Sequence, residues 1–529
     1  MLKTVQGQYA ALFEDMPDLK TRGENLVFAG SDEDPDTVVL LREMGFTQPS
    51  TVIKLVRGWH HGRYAAVRSE RSRERLTEVQ PFLIEALADT ADPDAAIAAF
   101  DRFVSDLPSG IQLFSLLRAN PNLLRLVADI MGTAPRLARI LSRRRRLLDA
   151  VIDPRTFETL PRTDELVEVI RSELATAADF QELLDRARIV GSEQWFLVGV
   201  RVLSGTIDAS RAGEAYARIA ESLIEALLTD VGSELASRHG EVSGGAAVVL
   251  AMGKLGSREM TAGSDLDLIV IYDFEQGALE SDGERPLAPV QYYARLTQRL
   301  ISALSAPTSE GALYDVDMRL RPSGQQGPVA TRLSSFRDYQ SGNAWTWEHM
   351  ALTRARVVAG PPHLRDDVEA AIRDCLVQRR DRAKIVADVR EMRDRIATEK
   401  GTENHWDSKN VRGGLIDLEF IAQFLQLIHA AEHPDILDTS TLGALCRMRD
   451  KGLLSPNPAE VLLPTGRLLS DLTQIMRICS EGPFKPETAP LGMRELLARA
   501  GEAPTFEAME RRLIESLASV AQAYNEIVR

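Results

Sequence analysis

Gly253-Lys-Leu-Gly-Ser-Arg-Glu-Met-Thr-Ala-Gly-Ser-Asp-Leu-Asp-Leu-Ile-Val-Ile-Tyr272 sets a Gly-Ser turn ahead of two aspartates, Asp265 and Asp267, that alternate with apolar residues. Successive strand residues point to opposite faces. Both carboxylates therefore project from one face while Leu266, Leu268 and Val270 line the other. Two adjacent carboxylates repel unless a cation lies between them, and an all-oxygen ligand set suits Mg²⁺. Upstream, Gly256 and Ser257 supply a small-residue turn whose backbone N–H groups can approach a phosphate. Metal and phosphate together are the minimum equipment for nucleotidyl transfer.

A third carboxylate stands fifty residues after Asp267, in Tyr314-Asp-Val-Asp-Met-Arg-Leu-Arg-Pro322. The alternation predicts a strand with Asp315, Asp317, Arg319 and Arg321 on one face. A carboxylate followed by two arginines on that face would set a metal ligand beside a triphosphate clamp, since the arginine fork pairs with phosphate oxygens two at a time. Lys254 is a further candidate for balancing phosphate charge.

The composition narrows the class. The chain has 529 residues, 77 Asp+Glu against 63 Lys+Arg, and a formal net charge of -14. That balance argues against broad nucleic-acid binding, which needs a basic footprint. Cys375, Cys446 and Cys479 lack metal-ligand spacing and are odd in number, so neither a zinc site nor a disulfide framework is expected. No signal-peptide pattern opens the sequence and no apolar run has the length of a membrane span. The expectation is a soluble, cytoplasmic protein.

Strand-like segments concentrate in the middle: Ala246–Met252, Leu266–Tyr272, Leu313–Leu320 and Pro328–Arg332. Elsewhere the apolar period is helical. Leu113–Leu148 reads as short helices broken at Pro121, Gly132 and Pro135. Thr163–Ala187, Trp195–Leu203 and Ala212–Leu235 continue the helical pattern up to the sheet, and Leu364–Arg379, Ala383–Thr398, Leu415–Ala431 and Phe506–Val528 follow it. Seams are expected at Ile152–Arg162 and at Gly360-Pro-Pro-His363, with a polar surface loop over Glu275–Pro289. The fold class expected is α+β, predominantly helical, with a sheet in the middle that carries the nucleotidyl-transfer candidates. Three regions are expected: a helical recognition or regulatory region over 1–155, a catalytic domain with a helical lead-in over 156–360, and a helical bundle over 361–529.

A lone Asp-x-Asp is weak evidence, because a solvated strand end accounts for most of them. The upstream Gly-Ser and the later Asp317-x-Arg-x-Arg together make the pattern strong. The run Arg143-Arg-Arg-Arg146 reads as a solvated cationic helix face beside Leu141, Leu147 and Leu148. The eight histidines form no metal-ligand array. Core packing and base stacking explain Trp345 and Trp347 equally well. Asp417 and Glu419 stand where a helix dipole favours acidic residues. Neither they, Lys409 nor Asp315 receives a definite role.

The Gly-Ser…Asp-Leu-Asp pattern resembles the nucleotidyltransferase superfamily of DNA polymerase β. Longer strings narrow the resemblance: Tyr314-Asp-Val-Asp-Met-Arg-Leu-Arg-Pro-Ser-Gly324, Ala344-Trp-Thr-Trp-Glu-His-Met-Ala-Leu-Thr-Arg-Ala-Arg356 and Gly413-Gly-Leu-Ile-Asp-Leu-Glu-Phe-Ile-Ala-Gln423. These are similar to the bifunctional glutamine synthetase adenylyltransferase/adenylyl-removing enzymes, and the similarity extends over essentially the whole chain. The resemblance implies a polymerase-β-like sheet, with Asp265, Asp267 and Asp317 as catalytic metal ligands. It further implies Gly256, Ser257, Lys254, Arg319 and Arg321 as nucleotide contacts, Mg²⁺ as cofactor and ATP as co-substrate. The family's two halves remove and add AMP, and the Ala-Trp-Thr-Trp-Glu-His string resembles the adding, carboxy-terminal half. Val5-Gln-Gly-Gln-Tyr-Ala-Ala-Leu-Phe13 resembles the tail of a preceding half, so a carboxy-terminal fragment is expected. The implied protein substrate is a glutamine synthetase tyrosine, with PII signalling protein and glutamine as effectors and no nucleic-acid or membrane partner. The AMP-removing half and a catalytically idle regulatory module binding PII or glutamine synthetase are the alternatives.

Overall fold

A computed structural model describes residues 26–28, 33–90, 92–144, 146, 147, 150, 163–480, 482–489 and 491–529. The seam expected at Ile152–Arg162, the boundary at 155/156 and the opening Val5–Phe13 string lie outside the described residues. The described residues are predominantly helical, with one mixed sheet. No helix among the described residues is long and apolar enough to cross a membrane.

Two compact units divide the chain. One holds the described residues before 161 together with Phe196–Ile207 and Ile475–Met509. Its helices include Pro49–His60, Glu70–Ala88, Pro93–Asp106, Ile111–Ala119, Pro121–Thr133 and Pro135–Arg143. Proline at the first helical position starts most of them, because a missing N–H costs nothing there. Trp59, Phe100, Phe103 and Phe114 are buried in its core, with Trp59 and Phe100 edge to face at 5.7 Å. The Trp59 indole N–H donates to Asp101 at 2.8 Å, which satisfies its one polar atom. Breaks fall at Pro121 and Pro135 as expected, but Gly132 stays helical to Thr133, since one glycine weakens a helix without ending it. Arg143 and Arg146 are exposed while Leu141 and Leu147 are buried, which fits a solvated face.

The other unit holds Pro161–Trp195, Asp208–Gln474 and Glu510–Arg529. Its sheet consists of β1 (Ala246–Ala251), β2 (Leu266–Asp273), β3 (Val316–Asp317), β4 (Ala330–Arg332) and β5 (Arg356–Ala359). The path runs β3-β2-β1-β5, with β4 also on β2. β1 pairs antiparallel with β2 from Ala246↔Asp273 to Ala251↔Leu268. β3 and β4 pair parallel with β2, at Leu266↔Val316 and Asp267↔Asp317 and over Val270↔Ala330 to Tyr272↔Arg332. From Leu268 to Tyr272 every β2 residue is buried, the mark of a strand covered on both faces. The 31-residue helix Ala209–His239 packs on β5 and on the helix Pro289–Ser305, and the helix Pro362–Leu376 packs on β1, β5 and β2. Leu223, Leu227 and Val231 recur along the long helix at helical spacing and are fully buried.

Three departures from the sequence reading stand out. The segment around Asp317 pairs over two residues only, not over Leu313–Leu320, because the chain turns at Met318. Thr163–Ala187 and Trp195–Leu203 are recast as Thr163–Leu174 and one long helix, Phe180–Ser204. β5 had no counterpart, since Arg356-Val-Val-Ala359 is too short to show a period.

Candidate active site

The register of β2 and β3 decides the centre. Pairing Asp267 with Asp317 puts the two carboxylates on neighbouring strands, and Asp265 stands just before β2. One carboxylate oxygen from each of Asp265, Asp267 and Asp317 lies within 4.8 Å of the others. This is the only group of its kind among the described residues. Asp315 is exposed and outside the group; its carbonyl accepts from the Leu266 N–H at 2.9 Å and so fixes the β2–β3 start.

Asp267 carries the strain of this arrangement. Burial, then the charges of Asp265 and Asp317, push its carboxyl up to about 6, against the opposing pull of Arg354 and Lys409. Asp317 moves the other way. Its carboxylate accepts from Arg319 Nε at 2.7 and 3.0 Å and from the Arg319 backbone N–H at 2.8 Å, and this holds it below the usual range. Arg319 itself is 69% exposed on its side chain and is free on its outer side to meet an anion.

The turn after β1 differs from the sequence reading. Gly256 and Ser257 were expected to cradle phosphates, but their N–H groups are spent on Met252 and Gly253 carbonyls at 3.0 and 3.1 Å. Ser257 is buried, and its hydroxyl accepts from Arg354 at 2.8 Å. Gly256 is required for packing, since a Cβ there would overlap the Arg354 carbonyl. The glycine that faces the centre is Gly253, at φ +53°, where a Cβ would land on the Asp267 carboxylate. Lys254, beside it, is half-buried in the same turn.

Arg321 also departs from expectation. Its guanidinium donates to the carbonyls of Met318 at 2.7 Å, Pro328 at 3.1 Å and Gln325 at 3.3 Å. It braces the loop after β3 and is not presented as a phosphate clamp, because the strand alternation that would aim it ends at Asp317.

Residues left without a role acquire one. Lys409 is exposed and close enough to draw the Asp267 carboxyl down. Asp417 is fully buried against Arg393 and also accepts the Gly413 N–H. Glu419 pairs with buried Arg354 at 2.8 Å. Trp345 is 69% exposed and Trp347 half-buried, so neither is a core tryptophan. Buried Glu348 accepts the Trp345 N–H at 2.8 Å and holds that corner. Arg354 and Glu259 escaped the sequence reading, since 95 residues separate them and no spacing links them.

The geometry is that of a sheet-borne carboxylate centre next to a glycine turn. The family model for glutamate-ammonia ligase adenylyltransferase matches residues 124–397, just over half of the chain and all of the sheet. The chain belongs to that family. A second family model, for GlnD PII-uridylyltransferase, matches residues 384–528. Among individual relatives, the bifunctional glutamine synthetase adenylyltransferase/adenylyl-removing enzyme of Brucella melitensis biotype 1 is 47% identical over 528 residues, covering 100% of this chain and 53% of the relative. The enzymes of the same name from Rhizobium meliloti and Bradyrhizobium diazoefficiens are 46% and 45% identical, each with 53% of its length covered. The chain spans about half the length of the curated relatives it matches.

Proposed function

We propose that this chain transfers AMP from ATP to a tyrosine hydroxyl of glutamine synthetase and releases pyrophosphate. The observation that carries the reading is the meeting of Asp265, Asp267 and Asp317 across the β2–β3 register in a member of the adenylyltransferase family.

The donor set fits a magnesium ion. Three carboxylates offer hard oxygen ligands within 4.8 Å of one another, and burial of Asp267 beside two like charges favours a cation among them. Asp265, Asp267 and Asp317 would hold it, and when bound it would favour the ionised hydroxyl and offset charge on the triphosphate.

The chain's own groups account for the rest. A tyrosine hydroxyl titrates near ~10 and must lose its proton to attack the α-phosphorus. Asp317 is the acceptor, once Arg319 turns from it toward the phosphates; the exposed guanidinium fork suits both partners. The new bond joins the tyrosine oxygen to the α-phosphorus, the bond to the β-phosphate breaks, and pyrophosphate departs with Arg319, Lys254 and Lys409 balancing its charge. The helical segments serve recognition and control in a cytoplasmic setting. PII signalling protein and glutamine are the effectors this reading carries. The match of 384–528 to a family named for PII supports the first of them.

The test is mass spectrometry of unmodified glutamine synthetase incubated with this chain, ATP and Mg²⁺, with and without PII and glutamine. One AMP per subunit on a single tyrosine supports the reading. Phosphate-dependent release of ADP from modified glutamine synthetase, with no forward transfer, would assign the AMP-removing direction that the relatives' names also carry. Activity in neither direction would leave the regulatory-module alternative.

A further inference from the structure

Behind the aspartates lies a buried cation with three separate attachments. Arg354 is 7% exposed and stands between the helix Thr346–Leu352 and β5. Its Nη2 donates to the Ser257 hydroxyl at 2.8 Å and to Glu259 Oε2 at 3.0 Å, and its Nη1 meets Glu419 Oε2 at 2.8 Å. Its carbonyl packs against Gly256 so closely that no side chain fits there. Side chain and main chain thus both hold the turn that leads into Asp265 and Asp267.

Glu259 extends the linkage. It accepts from the Thr441 N–H at 2.8 Å, the Thr441 hydroxyl at 3.2 Å and the Ser440 hydroxyl at 3.2 Å, at the start of the helix Thr441–Asp450. Glu419 belongs to the helix Leu415–His429. One guanidinium therefore joins the turn after β1 to two helices of the segment that the second family model matches. Neighbouring Arg356 makes a useful contrast. It bonds the Gly256 and Leu255 carbonyls at 3.2 and 3.1 Å and pairs with Glu221, a backbone brace that includes no carboxylate of this network.

We propose that Arg354 is a positioning residue for the aspartate centre, fixing Asp267 against the turn after β1 and coupling that position to the helices bearing Glu419 and Thr441. The inference rests on the reading of Asp265, Asp267 and Asp317 as the transfer centre. Removing the cation would leave Glu259 and Glu419 without the positive charge they share, and Asp267 with less positive charge to offset Asp265 and Asp317. Such an assembly of like charges relaxes by moving apart, which carries the Ser257–Asp267 segment with it.

The test uses the whole chain and its Arg354→Met, Arg354→Lys, Glu259→Gln and Glu419→Gln variants. Two quantities are read: Mn²⁺ affinity by electron paramagnetic resonance without nucleotide, and kcat and KM for AMP transfer. Arg354→Met is expected to weaken Mn²⁺ binding and lower kcat by roughly 10–100-fold, the range for groups that orient metal ligands, with KM for glutamine synthetase unchanged. Arg354→Lys should recover part of both losses. Glu419→Gln should lower both less, and add nothing in the Arg354→Met background. A folded Arg354→Met protein with wild-type Mn²⁺ affinity and kcat would overturn the proposal, as would additive losses for Arg354 and Glu419. If Arg354→Met does not fold, the two glutamine variants decide in its place: unchanged Mn²⁺ affinity in both overturns the proposal. Arg354-dependent Mn²⁺ binding in a protein that transfers no AMP would sink the transferase reading and leave the positioning role standing.

Discussion

Asp267 and Asp417 begin alike and end in opposite surroundings. Each follows a glycine-bearing turn and stands near the start of an element, β2 for one and the helix Leu415–His429 for the other. Asp417 is fully buried and compensated, with Arg393 on one oxygen and the Gly413 N–H on the other. Asp267 is partly buried and meets two more carboxylates, with Arg354 and Lys409 acting on it through space. Position at the start of an element does not tell the two apart. The sign of the neighbouring charge does, and it separates a carboxylate that holds the fold from one that waits for a cation.

The largest expected effect tests the reactive member. Asp267→Asn should cut AMP transfer by a factor on the order of 10³ or more while the protein stays folded. An Asn variant with near-normal turnover would break the contrast outright. Asp417→Asn should instead lower stability to urea by roughly 3–4 kcal/mol, because Arg393 is left charged and buried. Replacing both partners, as Arg393→Met with Asp417→Leu, should restore most of that loss. A neutral single change would show that Asp417 is not the compensated partner described above.

A third measurement sharpens the comparison through pH. In metal-free protein the Asp267 carboxyl, raised to about 6 from an ordinary 3.8, binds its proton more tightly folded than unfolded. Its contribution to stability is therefore fullest below pH 4 and is lost as pH rises through about 6, by about 3 kcal/mol. Asp267→Asn should abolish that part of the pH dependence, read as the difference between the two unfolding curves. Asp317, held low by Arg319, has the opposite slope and remains in both proteins. The smallest effect belongs to Arg319→Gln. Its guanidinium lies mostly in solvent, which screens the pair, so stability should change by under about 1 kcal/mol, while KM for ATP rises a few-fold.

Short-range pattern carried most of this molecule into view. The alternation through Leu266–Tyr272 announced the central strand. Asp265, Asp267 and Asp317, singled out from two alternating segments, are the three carboxylates that the fold brings together. Failures came where tertiary contacts overrode pattern. Alternation suggested that Arg321 shared a face with Asp317, but a turn at Met318 redirects it to loop carbonyls. Gly256 and Ser257 had the right residue types for a phosphate turn, yet Gly256 packs against the Arg354 carbonyl, the Ser257 hydroxyl accepts from the Arg354 guanidinium, and both N–H groups bond within the turn. Gly253 had no more signal than Gly256; only its position opposite Asp267 distinguishes it. The Arg354–Glu259–Glu419 linkage was illegible because its members are far apart in the chain and share no period.

β3 is two residues long and is joined to β2 only at Leu266↔Val316 and Asp267↔Asp317, whereas β1 and β2 are paired over six. The third carboxylate thus hangs on the most weakly anchored strand of the sheet, while the other two are fixed beside its deepest one. Local opening of so short a pairing costs far less than unfolding the domain. The centre can therefore come apart and reassemble with the heat-unfolding curve unmoved. The Leu266 amide, bonded to the Asp315 carbonyl, is its reporter: the rate at which that hydrogen exchanges with solvent counts how often Asp317 leaves.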